Sequence, residues 1–188
     1  MNPNRDAILG RVFTRHMDKY GRESNLRGHS RLEFDLAPGM QRSLVTSFQG
    51  IFPDLPRVSL SIGDSWFQRE QLDDSDSRNQ VEIIMEIRHE LLGFQEIEGR
   101  HMARIASQYS GHLIGHGPAE ENMIYRAVLE GEGNWLFDLE AGMLYRQELW
   151  GRGEGSIIGV GEIPFQVPFT RDLHQIIEVE KRSYTGQQ

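Results

Sequence analysis

The chain has 188 residues and a formal net charge of -8, with 20 Lys and Arg against 28 Asp and Glu. The acidic balance and the lack of a basic cluster exclude nucleic-acid recognition through phosphate contacts. The absence of cysteine excludes disulfides, thiolate metal sites and cysteine nucleophiles.

The length fits one domain over residues 1–188, and no window holds the roughly 18 apolar residues that a membrane span needs. The ends, 1–6 and 183–188, are polar and expected to fray, and the first residues carry no signal-peptide core. Leu9, Val12, Phe13, Met17 and Tyr20 suit a helix, whereas Asp18-Lys19-Tyr20-Gly21 suits a turn between two strands. Met40, Leu44, Val45, Phe48 and Ile51 fall at helical spacing between Pro38 and the Gly50 and Pro53 stops. That spacing predicts a helix over 38–51.

From Gln80 the period changes to two. Val81, Ile83, Met85 and Ile87 share one face, with Glu82, Glu86 and Arg88 on the other. A turn is expected at Gly93 and a hairpin at Glu98-Gly99. Short strands follow over 102–107, 109–114, 123–129, 134–139, 143–150, 156–160, 164–169 and 173–179, the Pro-marked ones as edges. Gly151 to Gly155 reads as a hairpin tip. The predicted fold is mainly β: a curved antiparallel sheet or half-barrel of about eight to ten strands, with one helix (about 38–51) packed on it.

Chemistry-bearing residues are sparse. His112 and His116 lie four apart near Glu120 and Glu121, a spacing that invites a metal. In a strand the two rings share a face but stand about 13 Å apart at about 3.3 Å per residue, and Leu113 occupies the place of a zincin glutamate. Asp74-Ser75-Asp76 opens like a calcium loop, but Asn79 and Met85 stand where its Gly and Glu belong. No G-x-S-x-G elbow or phosphate loop is present. No catalytic residue, metal site or cofactor is therefore assigned. Trp66, Trp135 and Trp150 are read as core aromatics.

Three stretches form an ordered set. They are Phe52-Pro53-Asp54-Leu55-Pro56 with Val58 and Ile62-Gly63-Asp64-Ser65-Trp66; Leu91-Leu92-Gly93-Phe94 through Glu98-Gly99-Arg100 to Ala103-Arg104-Ile105; and Gly131-Glu132-Gly133-Asn134-Trp135-Leu136-Phe137-Asp138 with Gly142. Over about 38–180 this set resembles a family of secreted bacterial proteins of unknown function. The resemblance implies two similar halves of curved antiparallel sheet, each with a helix, and an extracytoplasmic (periplasmic or cell-surface) location. This chain would be the C-terminal half, with 8–35 as the last strands of the preceding one and Asp18 to Gly21 as a D-x-x-G turn. It implies no catalytic residue.

The functional expectation is a non-enzymatic extracytoplasmic binding domain for a lipid or other apolar ligand, with Met85, Ile87, Trp135 and Phe137 as lining residues that would serve equally well as core. The alternative is a protein–protein interaction or scaffold domain using a sheet edge, with a hydrolase behind both. A groove of a few hundred Å3 favours the ligand, and a filled core favours the edge.

Overall fold

The structure is a computed structural model that describes residues 14–18, 20–27, 33–37, 40–43, 53–74, 80–117 and 122–179. Ten strands are described: β1 (Thr14–Met17), β2 (Glu23–Arg27), β3 (Glu33–Ala37), β4 (Met40–Ser43), β5 (Ser65–Asp74), β6 (Gln80–Ile97), β7 (Arg100–His116), β8 (Met123–Asp138), β9 (Met143–Gly159) and β10 (Phe165–Glu178). The last six form one antiparallel sheet in the order β10-β9-β8-β7-β6-β5, while β1-β2 and β3-β4 are separate two-stranded ribbons. The sheet is open. β5 and β10 are its edges and do not pair with each other, so the architecture is mainly β without barrel closure.

Four expectations change. Residues 40–43 of the predicted helix are strand β4, residues 44–51 lie outside the described residues, and no helix occurs among the described residues. Met40 and its neighbours thus pair with β3 instead of forming a helical stripe. The eight short strands merge into four long ones, β7 to β10, and the main sheet has six strands. Gly151 to Gly155 is the interior of β9, not a hairpin tip.

Both strand errors have one cause. Gly111, Gly115, Gly131, Gly133, Gly151, Gly153, Gly155 and Gly159 all carry odd numbers and fall on the same face. In a strand they remove side chains from one face without interrupting the ladder. Gly155 shows why: a Cβ there would collide with the carbonyl oxygen of Arg126 and the Cα of Ala127. Gly93 is likewise a register shift inside β6, not a turn.

The turns follow the sequence more closely. Glu98 and Gly99 both have positive φ (51° and 74°), as a two-residue hairpin between β6 and β7 requires. Gly63 (φ 92°) makes a turn in which Ser61 N–H donates to Asp64 Oδ2 at 2.7 Å, and β5 starts directly after it. Asp18 Oδ1 accepts the Tyr20 and Arg22 amides at 2.8 and 3.0 Å. This fixes the turn between β1 and β2, so within 8–20 the described residues 14–17 are strand and Asp18 and Tyr20 lie in the turn. Pro168 lies in edge strand β10, where a residue without an N–H is tolerated.

The core sits on the odd-numbered face of β6 to β8. It comprises Leu91, Ala103, Ile105, Trp135 and Leu144, with Leu55, Leu60, Trp66, Phe137, Ile177 and Val179 packed against it. The 53–60 segment is pinned there by Leu55 N–H to Tyr20 O at 2.7 Å and Trp66 Nε1–H to Asp54 O at 2.9 Å. Among the described residues no helix is long and apolar enough to cross a membrane.

Candidate functional site

Two places concentrate polar side chains, one on each face of the sheet. On the inner face, cross-strand pairing places Trp66 opposite His89 and His89 opposite Ser107, with Trp135 one step along β8. Trp135 Nε1–H donates to Ser107 Oγ at 2.9 Å, and Ser107 Oγ lies 2.7 Å from His89 Nδ1. On the other side of the ring, His89 Nε2 lies 2.8 Å from Gln68 Oε1, which also accepts the Asp54 N–H at 2.9 Å. The Gln68 amide nitrogen donates to Glu70.

These partners fix the tautomer. Gln68 Oε1 only accepts, so His89 carries its proton on Nε2, and Nδ1 accepts the Ser107 hydroxyl. Burial holds His89 down from 6.5 to about 4, so the ring is neutral.

The Ser107–His89–Gln68 chain has the connectivity of a nucleophile, a base and an orienting group. Its setting is wrong for that chemistry. Ser107 is 2% exposed and His89 1%, and the serine oxygen is capped by an indole N–H. A substrate carbonyl cannot reach it. The chain is a satisfied polar plug in an apolar core, flanked by Trp66 and Trp135 with ring centroids 5.0 and 5.7 Å from His89.

Ile87 and Trp135 are buried on this inner face, Trp135 within the core cluster, with Phe137 packed against it. Met85 is half-buried further along β6. The structure therefore brings Trp135 and Phe137 together as packing. His112 and His116 share the even-numbered face of β7, and Glu120 lies outside the described residues. Among the described residues no three His, Asp or Glu gather where a metal could be held.

The second place is on the outer, even-numbered face. A shallow groove of about 530 Å3 runs over β7, β8 and β9 between Gln108, Ser110, Glu130, Glu132, Trp150 and Arg152. Trp150, expected in the core, is 38% exposed here, because position 150 is even and the core face of β9 is odd up to its irregularity near Tyr145.

The sequence contained a signal for the inner site. His89 and Ser107 continue the odd-numbered apolar faces of Ile87 and Ile105, and a polar residue at such a position needs internal partners. Asp138 Oδ1 accepts the Glu140 and Ala141 amides at 3.0 and 2.8 Å, and Gly142 has φ 64°. The Ala141 amide, the Glu140 amide and Arg100 together hold its carboxyl below the usual range against the opposing effect of burial.

No family model, characterised protein or solved structure matches this chain.

Proposed function

We propose that this chain is a non-enzymatic interaction domain that joins a second copy of itself by strand addition along β10. The observation that carries this is the edge itself. β10 runs 14 residues with no neighbour beyond it among the described residues, and Phe165, Val167, Leu173 and Ile176 on it are 48, 50, 42 and 49% exposed. Long exposed apolar edges are templates for pairing.

The direction of its free groups follows from the ladder. Val179 N–H bonds to Tyr145 O, so the odd-numbered amides of this strand face β9. The even-numbered groups then face outward, among them those of Thr170, Asp172, His174, Ile176 and Glu178. Pro168 is even and lacks a donor, which weakens the first half of the edge. An antiparallel pair centred near His174 uses 170–178 and leaves Pro168 outside. Arg171 offsets one of Asp172 and Glu178, so the edge carries little of the chain's net negative charge into the pairing.

A second reading, an apolar ligand on the inner face, draws on the same exposed side chains at Phe165, Val167 and Leu173. Native mass spectrometry separates the two. A dimer mass that dissociates on dilution and is abolished by Ile176→Pro supports edge pairing. That proline faces outward like Pro168 and leaves the β9 ladder intact. A monomer carrying a lipid-sized adduct supports the ligand, and a bare monomer at every concentration ends the edge reading.

A further inference from the structure

We infer that the outer-face groove binds a neutral polysaccharide, with Trp150 as its stacking wall. This goes beyond the edge pairing: it uses outer-face side chains, those of His174 and Asp172 included, where the pairing uses the outward backbone groups of β10.

The groove is a grid of two cross-strand rows. Gln108, Glu132, Trp150 and His174 stand opposite one another along the first, and Ser110, Glu130, Arg152 and Asp172 along the second. Trp150 and His174 stack with ring centroids 5.3 Å apart and planes 7° from parallel. His174 is held in turn by Glu148, Nε2 to Oε1 2.9 Å. One indole face is thus backed by a ring anchored to a carboxylate. The opposite face looks across β8 towards Glu132, its cross-strand neighbour in the groove. An aromatic side chain braced on one side and open on the other is a platform that costs little ordering on binding.

The polar groups around it select the ligand. The side chains of Gln108, Ser110, Glu130 and Glu132 are exposed and make no hydrogen bond or ion pair among the described residues. Arg152 is engaged by Glu154 at 2.7 Å, so the groove keeps an excess of negative charge. Glu130 and Glu132 accept, and Gln108 and Ser110 both donate and accept. Hydroxyl groups satisfy such a set while the C–H face of a pyranose covers the indole. Two free carboxylates disfavour uronic acids and sulfated sugars. The shallow, open-ended shape suits a chain lying across the strands better than a small molecule, which binds in a pocket enclosing most of its surface.

The test is affinity electrophoresis of the full chain in gels containing hydroxyethylcellulose, glucomannan, galactomannan or polygalacturonate, with tryptophan fluorescence titration alongside. Retardation is expected in at least one neutral gel and not in polygalacturonate. Trp150→Ala should weaken binding about tenfold or more, a step of one decade in affinity. Trp150→Tyr should restore part of it, and Glu132→Gln should weaken it less than Trp150→Ala. Unchanged thermal melts would confirm that the variants are folded. The inference is overturned by no retardation in any neutral gel, by retardation that survives Trp150→Ala, or by equal retardation in polygalacturonate. Fluorescence quenching by choline without polysaccharide binding would also overturn it, in favour of an organic cation.

Discussion

The described residues include two cross-strand Trp–His pairs, Trp66–His89 and Trp150–His174, built from the same residue types at similar ring separations of 5.0 and 5.3 Å. They lie on opposite faces of the sheet, and that placement decides their chemistry. His89 is 1% exposed, so its ring must be neutral and both nitrogens must find partners, which Ser107 and Gln68 supply. His174 sits at the edge strand beside water, paired with a partly exposed Glu148. The first pair is spent on stability, while the second leaves an indole open to solvent. Residue type alone does not distinguish a core element from a recognition element; the parity of the strand position does.

The largest expected effect separates the two faces directly. Trp135→Ala removes the most buried indole and leaves Ser107 without its donor, at a cost of about 3–5 kcal/mol. Trp150→Ala, on the open face, should change stability by about 0.5 kcal/mol or less. Urea unfolding of both variants checks this, and equal losses would erase the distinction.

A pH series sharpens it next. The folded His89 value lies below its unfolded one, 6.5 falling to about 4, so its contribution is fully present above 6.5. Stability should then decline as pH drops from 6.5 towards 4, by on the order of 3 kcal/mol. The unfolding midpoint across that window should carry the slope in the parent chain and lose most of it in His89→Gln. A slope that persists in the variant would assign it to other groups.

Gly155→Ala tests the close approach of β8 and β9 on the inner face. The added Cβ meets backbone, which cannot swing away, so a loss of about 1–3 kcal/mol is expected in the same unfolding assay. Gly161, outside the sheet with open space around it, should tolerate alanine without measurable loss.

The smallest effect is at the turn. Asp138→Asn keeps an oxygen for the Glu140 and Ala141 amides but loses the charge that faces Arg100 at 3.2 Å. A loss of about 1 kcal/mol is expected, and Asp138→Ala should cost more. If the two variants melt alike, the amide bonds contribute nothing beyond the ion pair.

Local chemistry made much of this fold readable. The period-two pattern from Val81 to Ile87, the Glu98-Gly99 hairpin, the Asp18 turn and the Pro168 edge each depend on residues a few positions apart, and each stands as read. The helix over 38–51 did not, because the periodicity of Met40 is ambiguous in so short a run and pairing with β3 decided it for the described residues. The candidate site was less legible. Trp135 and Phe137 were placed on the right face, but whether that face encloses space or is filled depends on Leu91, Ile105, Leu144 and Leu55 arriving from elsewhere in the chain.

By itself, then, the sequence determined strand character from Gln80 onward, the Asp18 and Glu98-Gly99 turns and the absence of cysteine chemistry, since those follow from torsional preference, alternation and composition. Only the tertiary structure decided that the glycines lie in continuous strands, that His89 is buried with a complete set of partners, and that Trp150 faces outward. Those outcomes depend on cross-strand register and on which face becomes the core, and both are fixed by pairing between strands rather than by any one strand's residues.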